Sequence, residues 1–172
     1  IESLRYSIQA GDWDQAGLTL LSCVTLIVSA QASTLAATLR PLADRASTHP
    51  GLFPLIAACA VHMEGTDYAA MHQDILDARP FLDSTPVQLR GTATVTLDLF
   101  DTAYHRMTGN ADALLELART TMQMLEAAGR RELPMVRHFL AIAATNVATA
   151  LLWTGDLVAA GEVFTESERQ LG

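Results

Sequence analysis

The residues most capable of chemistry lie between positions 90 and 105: Arg90, Thr94, Asp98, Asp101 and His105, spaced by four, four, three and four. On a helix that spacing puts a guanidinium, a hydroxyl, two carboxylates and an imidazole on one face. Such a face could bind a polar ligand or peptide, and Tyr104, Thr145, Asn146 and Thr149 would add hydroxyl and amide groups from neighbouring positions. The other reading is a solvated face laced with helical ion pairs, with Arg90 and Asp98 among the candidates. Both readings stand on the sequence. Any buried Asn or Thr must in either case find a hydrogen-bond partner.

Other patterns lead away from catalysis. His62-Met63-Glu64 has the His-x-Glu spacing of zinc deaminases, but the Pro-Cys-x-x-Cys that supplies the remaining ligands is absent. A site built from His62 and His72 would need the turn at Gly65 to bring them together. No Gly-x-Ser-x-Gly elbow occurs. Cys23 and Cys59 lie in apolar or small-residue runs, which suits buried thiols and not an activated thiolate. No catalytic residue, metal site or cofactor is expected, and the chain does not read as an enzyme.

The 172 residues carry a formal charge of −8, and all 11 basic residues are Arg, dispersed from Arg5 to Arg169. Nucleic-acid binding depends on neutralising phosphates, so direct contact with DNA or RNA by this segment is not expected. The longest apolar run, Phe139 to Trp153, is interrupted by Thr145, Asn146 and Thr149 and is short for a membrane span. With no basic start and apolar core at the N-terminus, a cytoplasmic setting is expected. The chain begins at Ile1 and not at Met, so it is expected to be a piece of something larger, folded as a single helical domain.

The elements that must position these residues are marked by four similar turns. Gly11-Asp12, Gly65-Thr66, Gly109-Asn110 and Gly155-Asp156 each place a Gly before a residue whose side chain can cap a helix, with Ala four or five positions after the Gly in every copy. The glycines lie 54, 44 and 46 residues apart, a spacing typical of helical-hairpin repeats. Half the residues are hydrophobic but only 6% aromatic, and no segment alternates for long enough to propose a sheet. The fold expected is all-α, a right-handed superhelix of antiparallel helix pairs.

In chain order, helices are expected over Glu2 to Ala10 with Leu4, Ile8 and Tyr6 inward, from Asp12 to about Ser22, and over a short buried stretch from Val24 to Ala30. A further helix opens at Ser33 or Thr34 and stops at His49-Pro50-Gly51. This extra helix accounts for the longer first interval. Leu52 to Glu64 has apolar residues on most sides. Asp67 to Ala78 turns Tyr68, Met71, Ile75 and Leu76 inward, Thr85-Pro86 opens a long helix to Met107, and Asn110 caps one that Gly129 should end. Helices over Glu132 to Thr154 and Asp156 to Leu171 complete the series. Six residues before the last three turn glycines stand Cys59, Ala103 and Thr149, all small, and two before them stand Met63, Met107 and Trp153, all large and expected in the core. Val61 and Leu151 occupy the position of His105 in the neighbouring copies, which makes the polar choice there look local.

With the turns and the inserted helix in place, the chain resembles the helical-repeat region of LuxR-type, MalT-like bacterial transcriptional regulators, itself similar to tetratricopeptide repeats with longer helices. Ala10-Gly11-Asp12-Trp13, His49-Pro50-Gly51 with Leu52 to Ala60, and Ala150 to Leu157 carry the resemblance. It implies a signal-sensing region between a nucleotide-binding module and a DNA-binding module, with an inducer or protein as partner. Neither module is in this chain, which lacks any Lys for a phosphate loop. The alternative is a constitutive protein-binding scaffold or dimerisation module, and self-association is left open.

Overall fold

The computed structural model describes residues 2–23, 32–132 and 136–171, with side chains described for 2–23, 35–127 and 136–169. The described residues are all-helical apart from turns. The helices are α1 (Glu2–Ala10), α2 (Trp13–Ser22), α3 (Ala32–Ala43), α4 (Leu52–Glu64), α5 (Tyr68–Ala78), α6 (Val87–Met107), α7 (Ala111–Glu132), α8 (Val136–Trp153) and α9 (Leu157–Leu171). Short 3-10 turns at Asp44–Ser47 and Arg79–Leu82 follow α3 and α5. The expected stretch from Val24 to Ala30 lies outside the described residues.

The chain divides into two compact units, residues 1–100 and 101–172. In the first, α1 packs on α2, α3 on α4 and α4 on α5. The two-sided apolar pattern of α4 is realised as burial of Leu52 and of every residue from Leu55 to Ala60. α2 approaches α4 closely because position 17 is Gly: a Cβ there would collide with the ring of Phe53. The ring therefore takes the space that any other residue would fill. Met71, Ile75 and Ala78 of α5 are buried, but Leu76 is 47% exposed, and Tyr6 on α1 is 61% exposed. Both were expected inside. Leu76 follows the buried Ile75, and Tyr6 lies midway between the buried Leu4 and Ile8, so the stripes are narrower than the sequence implies.

In the second unit α8 packs between α7 and α9 in chain order, with Ala118, Val147, Leu151 and Ala160 forming a buried cluster. Gly129, expected to end α7, lies inside it, because the helix runs on to Glu132. One Gly costs about 1 kcal/mol in a helix interior, too little to stop a 22-residue helix. α8 starts at Val136, and its 18 residues have a mean hydropathy of 1.3, long and apolar enough to cross a membrane by length and composition alone. Half of that stretch is buried within the fold. The shorter run beginning at Phe139 had understated its length.

The four turns share one construction. The cap residue's N–H donates to a carbonyl five residues back, Asp12 to Ser7, Asp67 to His62, Asn110 to His105 and Asp156 to Leu151, at 2.9–3.0 Å. The same cap's side chain accepts from the N–H three residues on, at Gln15, Ala70, Ala113 and Ala159. This is a Schellman closure followed directly by an N-cap. The left-handed residue is Gly11, Gly109 or Gly155 in three turns, with φ of 71°, 74° and 85°. In the second turn it is Thr66, at φ 58°, while Gly65 is right-handed at φ −70°. The structural frame is therefore set by residues 11, 66, 109 and 155, one position off the glycine frame in the second copy, and its intervals are 55, 43 and 46.

The corrected frame explains the exposure that the glycine frame misassigns. Two residues before the left-handed position stand Gln9, Glu64, Met107 and Trp153, all exposed. Met107 and Trp153 are 50% and 48% exposed, so they do not belong to the core as expected, and Met63 is half-buried. Seven residues before it stand Leu4, Cys59, Thr102 and Ala148, all at most 1% exposed. The first copy, irregular in the glycine frame, conforms here.

Candidate functional site

The division between Phe100 and Asp101 separates the nine candidate residues into two groups. In the first unit, Arg90 donates to the backbone oxygens of Asp83 (3.0 Å) and Thr85 (3.2 Å). It therefore ties down the turn that leads into α6. The Thr94 hydroxyl donates to the carbonyl of Arg90, one helical turn back, at 2.9 Å. Asp98 is buried and accepts from Arg79 at 3.0 Å. Its cation comes from the 3-10 turn after α5, not from Arg90 on its own helix. A carboxylate in low dielectric needs such a partner to remain ionised without a large penalty.

In the second unit, Asn146 is buried on α8. Its amide nitrogen donates to the Thr102 hydroxyl (3.1 Å) and its carbonyl accepts from Arg106 (3.3 Å). Thr102 and Arg106 are one turn apart on α6, so both reach the same amide. The requirement that a buried Asn be satisfied was legible in advance; the identity of its partners was not. Thr145 and Thr149 donate to the carbonyls of Ala141 and Thr145, each at 2.8 Å. Asp101 and His105 approach to 3.7 Å, and the Tyr104 ring meets the His105 ring edge-on at 5.3 Å. Asp101, Tyr104 and His105, all half-buried, thus cluster through their own side chains.

The structural frame also finds a histidine that sequence comparison between copies passed over. The carbonyls of His62 and His105 accept the equivalent turn hydrogen bond, so the counterpart of His105 is His62 and not Val61. Each faces an aspartate. His62 Nδ1 lies 2.7 Å from Asp74 Oδ2 on α5, whereas Asp101 is on the same helix as His105. Burial raises the Asp74 carboxyl above its usual value; the His62 hydrogen bond and charge oppose this, and Asp77 and Asp67 add to it. Cys59, one turn before His62, is 0% exposed, and its Sγ donates to the Met71 carbonyl at 3.7 Å. Both cysteines are free; Cys23 is half-buried at the C-terminal cap of α2, against the expectation of full burial.

His62 is committed to Asp74, and Glu64 is exposed in the last turn of α4. Among the described residues no three His, Cys, Asp or Glu side chains are grouped to hold a metal ion. The hydroxyls of Thr94, Thr145 and Thr149 close on their own helices, whereas Arg79 with Asp98, His62 with Asp74, and Asn146 with Thr102 and Arg106 tie one element to the next. No protein-family model matches the chain, and neither curated proteins nor solved structures yield a match.

Proposed function

We propose that this chain is the signal-sensing or partner-binding region of a LuxR-type, MalT-like transcriptional regulator, built as a right-handed superhelix of antiparallel helix pairs. The observation that carries the reading is the turn construction, the same closure and cap at four places separated by 55, 43 and 46 residues. Repetition at that interval supports a stack of helical hairpins, whose extended surfaces suit binding and not catalysis. An inducer or protein partner, with no cofactor, would favour one packing of the helices over another and so bias modules joined to this region. The net charge of −8 supports a segment that leaves DNA contact to another module. A cytoplasmic setting follows from that role.

The coding sequence on either side of these residues tests the regulator reading. A phosphate-loop module upstream and a LuxR-type DNA-binding segment downstream are expected; finding neither rejects it. A constitutive scaffold is the second reading. It is favoured by the way Arg90, Thr94, Asp98, Thr145, Asn146 and Thr149 use their polar groups within the fold. Thermal denaturation with nucleotides and sugars separates the two, since a scaffold's midpoint should not move with small ligands while a sensor's should rise with its inducer.

A further inference from the structure

α7, α8 and α9 of the second unit leave a groove of about 260 Å³. Its inner lining is apolar: Ala144 is buried, and Met122, Leu140 and Val163 are half-buried. Its outer lining is acidic, with Glu126 from α7 and Glu162 and Glu166 from α9, all exposed. Glu166 already holds Arg169 at 2.6 Å, whereas Glu126 and Glu162 make no ion pair among the described residues. The groove is thus apolar below and anionic above, with no basic residue in its described lining.

These properties select the occupant. The volume lies below the usual range for small-molecule and cofactor pockets, about 300–1,000 Å³, and fits one or two large side chains. Three carboxylates repel an anionic ligand. A second copy of this chain would bring its own charge of −8 to the same place. A cation without apolar surface would leave Met122, Leu140 and Val163 in water. A Leu or Phe anchor flanked by Arg or Lys satisfies both layers, because the long basic side chains can lay their stems on apolar surface while their charged ends reach the glutamates.

We propose that this groove docks a basic amphipathic segment of another protein, through an apolar anchor over Ala144 and cationic groups at Glu126 and Glu162. The proposal rests on the partner-binding reading of the chain but not on its belonging to a regulator. The probe is a fluorescein-labelled peptide of about 12 residues with Leu at helical spacing and Arg between, titrated by anisotropy against the 172-residue chain. Binding is expected, with affinity reduced about tenfold in the Glu126→Gln/Glu162→Gln double variant and within about twofold of the parent in Asp112→Asn/Glu116→Gln, an equal charge change elsewhere on α7. Ala144→Phe, which fills the groove, should also weaken binding while the helical circular dichroism is kept. The proposal is overturned if the peptide does not bind, if the two charge variants weaken it equally, or if a peptide with Ser in place of Leu binds as well. Absence of regulator modules in the parent gene would reject that identity and leave this titration unaffected.

Discussion

The turn at Gly65 and Thr66 and the turn at Gly155 make the same hydrogen bonds with different residues in the strained position. At Gly155 the left-handed residue is a glycine at φ 85°, with open space around the missing Cβ. In the earlier turn the glycine sits one residue too soon, right-handed at φ −70°, and a β-branched threonine takes the left-handed conformation at φ 58°. The cap does not move with the glycine. Asp67 closes α4 through the carbonyl of His62 and opens α5 through Ala70, as Asp156 does for its own helices. The comparison teaches that the hydrogen-bonded cap defines the repeat, and that glycine only lowers the cost of one backbone conformation within it.

The largest way to test this difference is to give the last turn the second turn's residue. Gly155→Thr should destabilise the chain by about 2 kcal/mol, the cost of a β-branched L-residue held left-handed, with nothing sterically in its way. Urea denaturation measures it, and a loss below about 0.5 kcal/mol would mean that the closure tolerates the residue without strain. The reverse exchange should have the smaller, opposite effect. Thr66 is exposed and its hydroxyl makes no hydrogen bond among the described residues, so relief of strain less the added freedom of the unfolded chain leaves a gain of about 0.5–1 kcal/mol. A loss would show that Thr66 is held by something other than the turn.

Gly65 sharpens the same contrast by its sign. A Cβ there would meet the Val61 carbonyl oxygen at 3.5 Å, an ordinary contact, and φ is compatible with any L-residue. Gly65→Ala should therefore stabilise by about 0.5 kcal/mol through the unfolded state, whereas Gly155→Ala should cost about 1 kcal/mol. Equal signs in the two turns, read from thermal midpoints, would remove the distinction between them.

The same one-residue slip decides how much of the molecule was legible. Glycine followed by a polar residue announces a helix break, and the periodic apolar residues announce helices, so α1, α2 and α4 to α9 were readable to within a few residues. The φ value of Gly65 has no sequence signature, because Gly accepts both signs and Asp67 is as good a cap as Thr66. A slip of one residue there sets Val61 opposite His105, hides His62 and puts Met63 where the exposed Glu64 belongs beside Met107 and Trp153. At the candidate site, the burial demand of Asn146 was legible, because an amide in an apolar helix needs partners. Thr102 and Arg106 were not, since they lie 44 and 40 residues away. Arg79 and Asp98 escaped for the same reason, and the i,i+4 rule offered Asp98 nearer partners on its own helix.

The two histidines at the shared position extend the comparison to its smallest expected effect. His105 and Asp101 lie on one helix 3.7 Å apart, whereas His62 and Asp74 join two helices at 2.7 Å. Burial raises the Asp74 carboxyl above its usual value, with His62 pulling the other way. A carboxyl with a raised folded value binds its proton more tightly folded than unfolded. Its contribution to stability is therefore fully present below the ordinary value of 3.8 and is lost as pH rises through the folded value. Asp74→Asn removes that loss while keeping an oxygen or nitrogen for His62. Relative to the parent, the variant should gain stability as pH rises through this window, in urea titrations from about pH 3 to about pH 7. The opposite trend would mean that the bond to His62 outweighs burial, and that the pair is held together by its charge and not merely accommodated between α4 and α5.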